Sequence, residues 1–147
     1  MTVVTAVVPA EQTAFAAEPA YRADLNRARQ ALLAAELADQ PADRFLAAHL
    51  GALRVAAAVL AVAAHRTGRG RPADVWHVLG RAAPEYAEWA AFFAAGRGTW
   101  HAVSAGARHL VTERQADDLV RDASAFCDEV SRRLDEAWQR HSRGRHG

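Results

Sequence analysis

Two arginine–histidine pairs are the residues best suited to chemistry in this chain. Arg44 and His49 have four residues between them in "DRFLAAHLGALRVAAAVLAVAAHR" (43–66). Arg97 and His101 have three between them in "AGRGTWH". Such a pair can act on a phosphodiester, the imidazole moving a proton and the guanidinium stabilising phosphate charge. Spacing alone does not bring two side chains together. A separation of five on a continuous helix turns through ~500°, leaving Arg44 and His49 ~140° apart. Phe45 follows Arg44, so no polar residue supports it. The pair reads as an arginine in an exposed first turn and a histidine at the edge of the core. Arg97 and His101 would converge if helical, but Gly96 and Gly98 predict a turn there. They read as a loop arginine and a polar residue at a helix start, with Trp100 packing on the bundle. If the chain keeps any phosphate chemistry, these two are its place, with His101 as general base or acid and Arg97 as charge stabiliser.

Arg66, Arg69 and Arg71 in "HRTGRGR" form a second candidate, a flexible phosphate grip. A solvated loop between helices explains them as well, and no aromatic residue interleaves to stack a base. The same holds for "RHSRGRH" near the end. The seven histidines contain no His-x3-His pair and no Glu-x-x-His unit, so neither a metal nor another cofactor is expected. Cys127 stands alone, which excludes an internal disulfide, and by helical phase it reads as a small buried hydrophobe. No Gly-rich phosphate loop or Ser/Cys nucleophile constellation is present.

The elements that must position these residues follow from composition and period. The chain has 147 residues and 51% hydrophobic content, about a quarter of all residues being alanine, with no isoleucine and no lysine. This favours helix over strand and fits one domain. The arginine-only basic content accords with a GC-rich genome, and the formal charge of +1 gives no bulk field for nucleic acid. "MTVVTAVVP" lacks a basic leader, and no uninterrupted apolar run reaches ~18 residues. A soluble, cytoplasmic protein with no membrane partner is expected.

Residues 1–18 read as a flexible arm. A first helix spans Pro19–Ala38, with Tyr21, Leu25, Ala28, Leu32 and Ala35 on one face and Leu33 and Leu37 widening it. Asp39 caps a second helix, which has Pro41 in its first turn and runs to His65; it is apolar nearly all round and therefore central. "ADVWHVLG" predicts a short helix capped by Asp74 and stopped by Gly80, and Pro84 opens another. "TWHAVSAGARHLV" reads as helix broken at Gly106. "TERQ" (112–115) is a capping box before a final helix with Leu119, Ala123, Phe126, Val130, Leu134 and Ala137 at steps of three and four. Trp76, Trp89, Phe92, Phe93 and Trp100 read as a core cluster. The sum is an all-α fold, an antiparallel bundle of four main helices plus a short extra one over residues 19–140, with 141–147 as a disordered tail.

"RPADVWHVLGRAAPEYAEWAAFFAAG" and "ERQADDLVRDASAFCDEV" carry a resemblance to a family of small actinobacterial HEPN-domain proteins, over roughly residues 20–137. The resemblance implies a helical bundle. It also implies one of two fates. Many HEPN members are metal-independent ribonucleases that use an Arg and a His with four to six residues between them, often at a dimer interface. Others have lost the pair and serve as interaction modules. Arg97 and His101 fall one residue short of that pattern. The leading expectation is a non-catalytic HEPN-like interaction module, a homodimer with weak contact to RNA or nucleotide or with a protein partner. The alternatives are a ribonuclease using Arg97 and His101, and a structural helical protein with no nucleic-acid role.

Overall fold

The computed structural model describes residues 19–63 and 74–145. Among these there are six α-helices, two 3₁₀ turns and no strand. Helix α1 is Tyr21–Leu37 and α2 is Pro41–Val62. The short α3 (Val75–Ala82) leads through a 3₁₀ turn at Pro84–Tyr86 into α4 (Ala87–Ala95). Then come α5 (Arg97–Ser104), a 3₁₀ turn at Arg108–Leu110 and the long α6 (Glu113–Gly144). The architecture is an all-α helical bundle. It has one more short helix than expected, because the glycine-flanked segment at Arg97 forms α5.

Helix α1 buries the five residues its period selects, Tyr21, Leu25, Ala28, Leu32 and Ala35. Leu33 and Leu37 do not widen that face; they are 56% and 73% exposed. They sit ~100° and ~140° round from Leu32, outside the buried arc. After Ala38 the chain reverses and α2 returns along α1. Pro41 occupies the first turn as expected, but Gln40, not Asp39, holds the cap position, and no side chain caps it. Close approach of the two helices rests on Gly51. A Cβ added there would lie 2.8 Å from both Cγ and Cδ2 of Leu32. Gly51→Ala is therefore expected to lower stability by about 1 kcal/mol, the overpacking of about 2 kcal/mol exceeding the ~1 kcal/mol gain in helix propensity. A lower urea midpoint at unchanged m-value checks it.

Helix α2 is central, as its composition requires. It packs against α1, α3, α5 and α6. By length and composition it could also cross a bilayer, contrary to the expectation from uninterrupted apolar runs, but half of that stretch is buried inside the bundle. That is the pattern of a core helix.

Helix α6 begins at the expected capping box. The Thr112 hydroxyl accepts from the Gln115 amide at 3.1 Å, and the Thr112 amide donates to Gln115 Oε1 at 3.0 Å. The helix runs antiparallel to α1 and is tied to it. Tyr21 Oη donates to Asp135 Oδ1 at 2.7 Å, and Arg29 Nη2 donates to Ser131 Oγ at 2.8 Å. It continues to Gly144, beyond the residue 140 boundary and into the segment expected to be disordered.

The main core gathers Leu25, Val55, Trp76, Leu79, Tyr86, Phe93, Phe126 and Val130. Cys127 is buried among them, and burial pushes its thiol pKa upward. A smaller cluster of Ala42, Phe45, Val103, Val111 and Ala116 seats α5 against the starts of α2 and α6.

Candidate functional site

Local chain chemistry brings three elements to one place. Asp74 caps α3, its Oδ1 accepting from the Trp76 amide at 3.1 Å. The helix passes through Gly80, which does not stop it, and ends at Ala82. Trp76 thereby points into the core, stacked on Phe93 at 4.9 Å between centroids. Helix α5 begins at Arg97 and carries Gly98 within its first turn. It ends at Gly106, whose φ of +116° an L side chain rarely adopts. There the Ala107 amide donates to the Ala102 carbonyl at 2.9 Å and the Gly106 amide to the Val103 carbonyl at 3.0 Å, a Schellman closure. This sets Trp100 against α2.

His49 is where these elements meet. It is 3% exposed, in the core rather than at its edge. Its ring stacks on Trp100 at 5.2 Å and meets the Trp76 ring edge-on at 6.2 Å. Burial, followed by the charges of His101 and Arg97, pushes its pKa down to about 4. The imidazole is neutral at pH 7.

Arg44 and His49 do not converge, as helical phase requires. Arg44 is not in open solvent, however. Its Nη1 donates to Asp117 Oδ1 at 2.7 Å and its Nη2 to the Ala38 carbonyl at 3.0 Å, so it fastens the end of α1 and the start of α6. Arg97 and His101 share one helix, contrary to the expected turn, and both lie within electrostatic reach of His49. Their side chains have different fates. Arg97 Nη2 donates to Asp74 Oδ2 at 2.5 Å, and its Nε is buried with no partner. His101 is exposed, with its ring edge-on to Trp100 at 4.9 Å. Arg66, Arg69 and Arg71 lie outside the described residues.

An open cleft adjoins His49, between the start of α2, the α4–α5 junction and α6. Its volume is about 420 Å³, and His49, Phe92, Thr99 and Asp118 are among its lining. Neither Arg97 nor His101 lines it. Among the described residues, no group of three or more His, Cys, Asp or Glu side chains is placed to hold a metal ion.

The HEPN resemblance carried by the α3–α4 segment and α6 has an independent counterpart. The SAV_6107-like HEPN family matches residues 34–131, two-thirds of the chain. The chain belongs to that family. No curated protein and no solved structure matches it. The matched stretch of this HEPN chain holds all of α2 to α5 and the first half of α6, and so includes His49, Asp74, Arg97 and the cleft.

Two features of this region were not found from the sequence. One is the Asp74–Arg97 pair, 23 residues apart. The other is the burial of His49 between two tryptophans. The signal for the second was present: a lone histidine in a helix otherwise nearly free of polar residues.

Proposed function

We propose that this HEPN chain is a soluble, cytoplasmic, non-catalytic interaction module that pairs with a second copy of itself. The observation that carries the reading is the Asp74–Arg97 pair. A phosphate-directed arginine has to offer its guanidinium to substrate. Here one arm of the guanidinium, Nη2, is engaged by the carboxylate that also caps α3, while His101 is exposed and does not line the described cleft. The arginine works as a link between α3 and α5.

The pairing surface is the outer side of α2. Leu46, Leu50, Leu53, Ala57 and Leu60 recur at alternating steps of four and three, the seam spacing of packed helices. Leu50 is 42% exposed, Ala57 is exposed and the other three are half-buried. Light scattering is expected to give twice the 15.9 kDa chain mass, and Leu50→Glu to return it to one chain. A wild-type mass near one chain overturns the dimer.

The ribonuclease reading is supported by one observation, the placement of Arg97 and His101 four apart on a single helix. Unstructured RNA incubated with the protein is expected to stay intact, with His101→Ala indistinguishable from wild type. Cleavage that disappears in His101→Ala reverses the reading. Arg97→Ala is expected to lower stability by about 1 kcal/mol, the size of a charge-assisted hydrogen bond at a part-exposed site. Weak RNA contact would come from the basic 65–71 segment. It is checked by retention at low ionic strength that falls steeply as salt rises.

A further inference from the structure

We propose that the cleft over His49 is a binding site for a small aromatic amine: a flat apolar ring with a hydrogen-bonding edge directed at His49 and a protonated amino group at the rim. The volume, about 420 Å³, falls in the range of small-molecule sites. The walls are Phe45, Phe92, Phe93 and Leu119, which suit a ring. Phe92 is 46% exposed, an aromatic side chain of α4 left facing the opening.

The floor supplies the polar anchor. His49 lines the cleft and is 97% buried by its 3% exposure. Its interactions with described residues are ring contacts and the charges of His101 and Arg97; no hydrogen bond satisfies its ring nitrogens. A ligand in the cleft can supply the hydrogen bond that the described residues do not. As a neutral imidazole it presents one donor and one acceptor.

The rim sets the charge. Asp118 and Asp122 of α6 flank Arg121, which reaches Asp118 Oδ1 at 3.3 Å and Asp122 Oδ1 at 3.6 Å. Two carboxylates against one guanidinium leave a net negative edge. That edge attracts an ammonium group and repels a phosphate or carboxylate ligand. The cations that act on His49 from α5, Arg97 and His101, do not line the cleft.

Saturation-transfer NMR on the full chain tests this with three probes of one shape: tryptamine, indole and indole-3-acetate. Tryptamine is expected to bind saturably and tightest, indole more weakly, and indole-3-acetate weakest. Tryptamine should also shift the ring Cε1–H resonance of His49. His49→Phe, which keeps a ring against Trp100, should weaken tryptamine about five- to tenfold through the lost hydrogen bond. The surface double variant Asp118→Asn/Asp122→Asn should erase the preference for tryptamine over indole-3-acetate. The double variant leaves the core untouched, so its result does not depend on how His49→Phe folds. No saturable tryptamine binding overturns the proposal. So does binding equal in wild type and both variants, or a preference for indole-3-acetate.

Discussion

Replacing Phe126 by alanine is expected to lower the unfolding free energy by about 4 kcal/mol. Phe126 is fully buried on α6. Its ring lies 5.2 Å from Phe93, 5.4 Å from Trp89, 6.1 Å from Tyr86 and 6.4 Å from Trp76, so it touches aromatic groups from α3, the 3₁₀ turn and α4. Alanine would remove the ring from all four at once. Closing the void would require moving helices that are held elsewhere, by the Trp89 Nε1 bond to Glu129 Oε2 at 2.9 Å and by Asp74 on Arg97. Phe126→Leu keeps most of the volume and is expected to cost under half as much. Chemical denaturation of the two variants gives the comparison. A loss below about 2 kcal/mol for Phe126→Ala would show that the cluster can collapse around the gap.

Acid is expected to unfold the protein partly through His49. Its pKa in the fold is about 4, below the ordinary 6.5. Between those values the unfolded chain binds a proton that the folded chain refuses, so stability rises with pH across the window. The contribution is complete above about 6.5 and is lost as pH falls toward about 4, amounting to about 3 kcal/mol at 1.36 kcal/mol per unit. Acid acts on other groups of the chain as well, so wild type alone does not isolate the effect. His49→Phe does, because every other titration is common to both proteins. The variant's stability should decline less between pH 7 and pH 4, by about 3 kcal/mol. Parallel stability curves for the two proteins would show that the imidazole is not held neutral by its surroundings.

The parts of this fold that were legible in the sequence are those set by local periodicity and end chemistry. Tyr21, Leu25, Ala28, Leu32 and Ala35 are buried because a helix of that phase has one core-facing stripe. The Thr112 box and the Asp74 cap follow from side chains that satisfy their own backbone neighbours, and the Gly106 break from a positive φ that glycine adopts freely. Two local inferences failed because the larger structure outweighed them. Gly98 disfavours a helix by only about 1 kcal/mol, less than Trp100 on His49 and buried Val103 return by anchoring α5. Gly80 likewise sits inside α3, because Leu79 before it and Ala83 after it are fixed in the core.

The site was only half legible. Arg97 and His101 stood out by type and spacing, and the structure does place them on one helix. Arg97 is held by Asp74, and what gives His49 its surroundings is a pair of tryptophans 27 and 51 positions along the chain. Such meetings depend on how helices cross, which no local pattern encodes.

Asp74 has a consequence for motion as well as for chemistry. One carboxylate closes the first turn of α3 with one oxygen and holds α5 with the other. Opening either helix therefore strips a partner from the other. The amide protons of α3 and α5 should exchange with solvent at a common rate, as one cooperative unit within the larger bundle. Two helices too short to be stable alone are thereby expected to open and close together beside His49.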